Sequence, residues 1–146
     1  MCGGVTLFAA PDGDNAVLSP VKSHWPPLGT KKSYPVTRDT WISAVPDEAH
    51  GSNGGAKELK IKSLQEFVLL DVDLSDLKGK IVTGALLHLR SASPEKALLA
   101  RLSVGSVASP WTEGTSTRYR PQTGSSSFME AGHQQQDWSY PGSTFM

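Results

Sequence analysis

Two aspartates, Asp71 and Asp73, stand two positions apart in the run Phe67-Val68-Leu69-Leu70-Asp71-Val72-Asp73-Leu74. On an extended strand that spacing covers about 6.6–6.8 Å. A pair of carboxylates about 5–10 Å apart can act as acid and base on a glycosidic bond. The Leu74-Ser75-Asp76-Leu77 stretch that follows favours an ordinary strand-to-turn exit instead. Four histidines, His24, His50, His88 and His133, are spread along the chain without HxH or HExxH spacing, so little supports metal catalysis, and His88 reads as an edge or sheet-face residue. No nucleophile elbow, phosphate loop or dinucleotide fingerprint is present. The expectation is a segment that performs no catalysis of its own. Trp25, Trp41, Trp111, Tyr119, Trp138 and Tyr140 offer broad apolar faces with a polar handle, suited to stacking on ring-shaped ligands. Trp41 and Trp111 sit beside strands, where core packing is the stronger competing reading. Trp138 and Tyr140 lie in a polar, Gly-containing stretch, where a ligand-facing role has more room.

These residues are carried on a chain of 146 residues, the length of about one domain. Lys and Arg total 14 and so do Asp and Glu, giving zero formal net charge. That balance removes the basic excess expected of a nucleic-acid partner or a polybasic membrane-surface protein. The single cysteine, Cys2, forms no internal disulfide and leaves the redox compartment open. The early apolar run Val5 to Ala10 lacks a basic flank and is short for a signal segment. Nothing reaches the 18 or more apolar residues of a membrane span, so a soluble chain is expected, its export signal removed or never present. There are 14 Gly, 10 Pro and 18 Ser, but only four Gly and two Pro lie between Ala56 and Arg120. The centre is therefore expected to be β-rich and the ends loop-heavy.

Residues 1–37 carry turn chemistry at Pro11-Asp12-Gly13-Asp14, Trp25-Pro26-Pro27 and Tyr34-Pro35, and read as an irregular arm. A domain is expected over 38–146. Its strands are placed at Asp39–Val45, around Leu59–Ile61, over Phe67–Leu74 with Val68, Leu70, Val72 and Leu74 inward, and over Ile81–Arg90. Leu77-Lys78-Gly79-Lys80 reads as a turn. Ser93 to Leu102 has the capping serine and first-turn proline of a helix. Its strand-rich surroundings favour a strand over Ala97–Val107 instead, with Leu98, Ala100, Leu102 and Val104 inward. Beyond Gln122 the chain is polar, with Phe128, Trp138, Tyr140 and Phe145 as isolated anchors. Spacing of this kind implies an all-β sandwich or barrel.

One family shares the order of these segments. They are a D-T-W-I strand at Asp39–Ile42, an N-G-G loop at Asn53–Gly55, an L-K-I strand at Leu59–Ile61, L-L-D-V-D-L-S at Leu69–Ser75, A-L-L-H-L at Ala85–Leu89 and W-T-E-G-T-S-T at Trp111–Thr117. Across about half the chain this resembles the DNRLRE-type domains, which include carbohydrate-binding modules of secreted bacterial and archaeal surface proteins and polysaccharide-degrading enzymes. Gln65-Glu66 stands where the family usually has an arginine, and Val72 where it has a phenylalanine. The family also carries further strands after its Trp-x-Glu segment.

The resemblance implies an antiparallel, jelly-roll-like β-sandwich, incomplete at its C-terminal end here. It implies a secreted or cell-surface location and polysaccharide as the partner, held by Trp138, Tyr140, Tyr119 and Trp111, with neighbouring domains or chains completing the sheet. It also implies a structural calcium ion, for which Asp39, Asp47, Glu48 and Asn53 around one loop are the candidate ligands. A solvated acidic loop with an Asn-Gly turn is the competing reading of the same four residues. Two other functions fit the segment order: a structural module of a surface layer or filament, and the front segment of a polysaccharide-cleaving enzyme.

Overall fold

The computed structural model describes residues 4–6, 32–62, 64–92 and 102–145. Among these the regular elements are the strands β1 (Gly4–Thr6), β2 (Ser33–Ser43), β3 (Glu66–Val72) and β4 (Leu86–His88), with 3₁₀ turns at Pro46–Glu48 and Ser75–Leu77. The described chain is all-β. No helix among these residues is long and apolar enough to cross a membrane. The segments holding Cys2, the Pro11–Asp14 and Trp25–Pro27 turns, His24 and the contested stretch 93–101 lie outside the described residues.

The chain divides into two units, one drawn from Thr37–Asp71 and Ser91–Met146, the other from Cys2–Val36 and Val72–Arg90. In the first unit β3 lies beside β2. Ala44 N–H donates to the Gln65 carbonyl at 2.7 Å and Thr37 Oγ1 to the Asp71 carbonyl at 3.2 Å, so the chain direction reverses between the two strands. Ile42, Leu69, Trp111, Ala131 and Trp138 form the buried core, with Phe67 and Phe145 packed against it. Phe67 stacks on Phe128 at 5.9 Å between ring centroids, and Trp138 meets Phe145 edge-on at 4.9 Å.

An apolar core this small does not by itself stabilise the long irregular stretch from Trp111 to Phe145. Buried irregular backbone must still find hydrogen-bond partners, and serine hydroxyls supply them. Ser125, Ser126 and Ser127 are all buried. Thr112 N–H donates to Ser126 Oγ at 2.9 Å, whose own hydroxyl reaches the Ala131 carbonyl at 2.8 Å. Glu130 N–H donates to Ser127 Oγ at 3.0 Å, and Trp138 Nε1 donates to the Ser127 carbonyl, also at 3.0 Å. The polar, Ser-rich composition of this stretch is thus a buried hydrogen-bond lattice.

The burial pattern departs from the expected one in several places. Thr40, Trp41, Ile42 and Ser43 are all buried, so both faces of β2 are covered and the expected alternation disappears there. The inward face of β3 is the opposite of the one expected: Leu69 is in the core with Phe67 beside it, while Leu74 is exposed. Leu59–Ile61 is not a strand, and both apolar side chains are exposed. Leu102, Val104 and Val107 are exposed in irregular chain, which overturns the strand placed there. Glycine completes the first unit. A Cβ on Gly51 would stand 2.0 Å from the Tyr119 carbonyl oxygen, and one on Gly54 would stand 2.1 Å from that of Glu113. The loop around Asn53 therefore lies flush against the 113–119 backbone.

In the second unit β1 lies between β2 and β4, antiparallel to both, with Val5 opposite Tyr34 and Leu87. Strand structure thus occurs inside the stretch read from sequence as an irregular arm. Tyr34 OH donates to Asp76 Oδ2 at 3.1 Å, and Lys32 pairs with the same carboxylate. The turn expected at Leu77–Lys80 is present, with Gly79 at φ +77°. The long strand expected over Ile81–Arg90 shrinks to Leu86–His88, and Ile81 is 90% exposed.

The flush contact at Gly51 has a measurable consequence. Gly51→Ala forces backbone apart and is expected to destabilise the fold by about 1–3 kcal/mol. Gly105→Ala, where an added Cβ meets nothing within 4 Å, is expected to stay within about 0.5 kcal/mol of the parent. Urea denaturation followed by tryptophan fluorescence measures both.

Candidate functional site

The flush packing delivers one groove. It is lined by Trp41 from β2, by Asn53, Gly55, Ala56, Lys57 and Lys60 from the loop after the first 3₁₀ turn, and by Thr117, Arg118 and Tyr119 from the facing loop, around about 660 Å³. Asn53 anchors it. Its side chain is buried at 1% exposure. Its Nδ2 donates to the Trp41 carbonyl at 3.2 Å, and its Oδ1 accepts the Tyr119 N–H at 3.0 Å. Arg118 and Tyr119 both adopt left-handed backbone, at φ 56° and 57°. Each such residue costs on the order of 1–3 kcal/mol and persists only where the surroundings over-determine it. Asn53, Gly51 and the isolated bridge between Ser52 and Arg120 do so here.

At the groove wall, Lys60 Nζ donates to Glu66 Oε1 at 2.5 Å and to Tyr119 OH at 3.0 Å, while Tyr119 OH donates to the same carboxylate oxygen at 2.9 Å. Trp41 and Tyr119 meet edge-on at 4.9 Å, and Lys60 stands 5.1 Å from the Trp41 ring centroid. Hydrogen bonds to Glu66 and Tyr119 hold the Lys60 ammonium well above the usual lysine range. Burial raises the Tyr119 hydroxyl, so the wall presents a firm cation and a neutral phenol at neutral pH. Two buried polar atoms, Trp41 Nε1 and Glu66 Oε2, have no hydrogen-bond partner. One is a donor and the other an acceptor, and such groups are costly to leave unserved. Among the described residues, Lys57 and Arg118 have no acidic partner.

Of the four aromatic residues expected to bind a ligand, the structure brings only Tyr119 to this groove. Trp111 is a core residue whose ring is covered by the Arg38 guanidinium at 4.5 Å. Trp138 is 5% exposed and offers no face to a ligand, a correction that follows from its ring packing on Phe145 in the core and its Nε1 donating to the Ser127 carbonyl. Tyr140 is 69% exposed and lies away from the groove lining. Trp41, read from sequence as packing, is buried with its ring also lining the groove.

The carboxylates are also accounted for. Asp71 pairs with Arg38 at 2.6 Å, and Asp73 lies beyond β3, where its Oδ1 accepts the Ser75 N–H at 2.9 Å. That turn bond lowers the Asp73 carboxyl. Neither arrangement leaves a free acid–base pair. The four residues proposed for calcium do not form a cage. Asn53 spends its amide on backbone, and Glu48 Oε2 accepts the Ser43 hydroxyl at 2.6 Å. Asp39 is half-buried, its backbone N–H donating to Glu113 Oε1 at 3.2 Å, and Asp47 is exposed. Among the described residues, the group of ligating side chains that does converge is His50, Glu130 and His133. Sequence spacing gave no hint of it, because the histidines lie on separate loops.

Compared with protein-family models, with curated proteins and with solved structures, the chain matches none of them.

The wall geometry predicts a small, specific effect. Tyr119→Phe keeps the edge contact with Trp41 but removes the hydroxyl shared by Lys60 and Glu66. It is expected to lower stability by about 0.5–1.5 kcal/mol, one hydrogen bond's net worth, in a urea titration, with unchanged far-ultraviolet circular dichroism.

Proposed function

We propose that this chain is a non-catalytic binding module that takes an acidic polysaccharide in the Trp41–Tyr119 groove. The reading is carried by three cations, Lys57, Lys60 and Arg118, gathered beside the Trp41 and Tyr119 rings in one groove. A sugar chain brings hydroxyls that both donate and accept, and a uronate or sulfate brings charge for the lysines and arginine. Over-determined left-handed backbone at Arg118–Tyr119 is the kind of stored strain found at ligand clamps. Binding is favoured over cleavage because no carboxylate is among the groove's described lining residues, and the nearby Glu66 is buried and paired with Lys60. An all-β chain and the segment order of DNRLRE-type domains support a jelly-roll-like sandwich in an exported or cell-surface protein.

A second reading, a module that assembles through its sheet, rests on a separate observation. β4 ends the strand order of its sheet, and Ile81, Val82, Leu86 and Leu89 around it are exposed. An apolar edge of that kind favours pairing with another chain or domain. Concentration-dependent growth in light scattering without glycan would favour it.

Affinity electrophoresis in gels containing polygalacturonate, with neutral hydroxyethylcellulose as the comparison, tests the first reading. Retardation is expected in the acidic gel, weakened about tenfold, roughly 1.4 kcal/mol, by Lys57→Ala combined with Arg118→Ala. Migration unaffected by either polymer contradicts the reading.

A further inference from the structure

Away from the groove, two loops of the first unit bring His50, Glu130 and His133 together. One ligating atom from each lies within 4.8 Å of the others. His50 sits in the turn after the 3₁₀ turn Pro46–Glu48, where Gly51 N–H donates to the Glu48 carbonyl at 2.9 Å. The facing loop is tied to that turn by the Met129 N–H, which donates to the Ala49 carbonyl at 3.2 Å. Glu130 is therefore set beside His50 by backbone, independently of any side-chain attraction.

The facing loop is itself held at several points. Ser127 N–H donates to the Glu130 carbonyl at 2.8 Å, His133 N–H to that of Ser125 at 2.8 Å, and Gly124 N–H to that of His133 at 2.9 Å. Glu130 Oε1 accepts the Gln134 N–H at 3.0 Å, and Gln134 adopts left-handed backbone at φ 59°. One carboxylate oxygen is thereby fixed by main chain while the other, Oε2, faces His133 Nδ1 at 2.5 Å. Backbone support of a ligating carboxylate is how metal sites orient their ligands. The His50 and His133 rings are tilted at 60° with centroids 6.0 Å apart, a spacing that leaves room between their nitrogens for a shared ion.

We propose that His50, Glu130 and His133 form a site for a divalent transition-metal ion, zinc foremost, with at least one coordination position open to water or ligand. Two imidazoles and one carboxylate suit zinc and its neighbours and are a poor set for calcium, which takes oxygen ligands. Two-histidine, one-carboxylate zinc sites keep a fourth position open. At zinc–ligand distances of about 2.0–2.1 Å, neighbouring ligand atoms stand about 3.4 Å apart in a tetrahedron. The exposed His50 ring is the member that closes the remaining gap by rotating its side chain. The ion would clamp the 46–51 turn onto the 124–134 loop, which Met129 and Ala49 already join. This site stands independently of the glycan reading.

The test uses full-length, untagged protein stripped with a chelator, titrated with Zn²⁺ by calorimetry and with Co²⁺ by visible absorption. One equivalent is expected to bind with micromolar or tighter affinity, to raise the melting temperature, and to give the ligand-field bands of Co²⁺ in a low-coordinate nitrogen and oxygen site. His50→Ala, on the exposed turn, and Glu130→Gln, which keeps the shape of the side chain, are each expected to weaken binding at least tenfold. His88→Ala is expected to leave it unchanged. No saturable binding at 100 µM metal, or binding that survives both His50→Ala and Glu130→Gln, overturns the proposal.

Discussion

The first unit depends on the Asn53 carboxamide. It is buried between two strips of backbone that carry no mutual ladder, donating to Trp41 in β2 and accepting from Tyr119 in the facing loop. A carboxamide mimics a peptide group, so this side chain joins a strand to an irregular loop where regular pairing is absent. A net hydrogen bond contributes only about 0.5–1.5 kcal/mol, but leaving its buried partners unmade costs about 1–3 kcal/mol each. Gly51 and Gly54 let the backbones close to the distance at which the carboxamide reaches both. The left-handed Arg118–Tyr119 pair, the groove and the Lys60–Glu66–Tyr119 bonds all follow from that closure.

The same logic of side chains standing in for a sheet runs through the Ser-rich stretch. Ser125, Ser126 and Ser127 satisfy buried carbonyls and amides around Trp138 and Ala131. The loops they hold carry two separate groups of side chains. One is Tyr119 and Arg118 at the groove, and the other is Glu130 and His133 beside His50. Rigid support from main chain makes it reasonable that loops, rather than strands, hold the functional groups.

Part of this was legible from sequence. The all-β class, the strands around Trp41-Ile42 and Leu69, and the turn at Leu77–Lys80 all follow from apolar runs and turn residues. The phase of β3 was not legible. Alternation identifies the buried face only when one face meets water, and here the core covers β2 on its Ile42 side while Tyr119, Lys60 and Glu48 meet its Trp41 and Ser43 side. Trp138 was misplaced because its neighbours in sequence, Gln134–Gln136 and Ser139, are exposed while its own ring turns into the core and bonds the distant Ser127 carbonyl. Tyr119 was singled out as one of six aromatics with a polar handle, and its lock onto Asn53 was not legible. The His50–His133 pairing was invisible, because ligand spacing signals a site only when one element carries the ligands.

Amide hydrogen exchange at Tyr119 probes the central carboxamide most directly. The Tyr119 N–H, donated to Asn53 Oδ1, is predicted to exchange slowly in the parent protein. In Asn53→Ala it is predicted to exchange at least tenfold faster, while the amide of Leu69 in β3 keeps its protection. Exchange at Tyr119 that is fast in the parent, or unchanged by the substitution, would contradict the account.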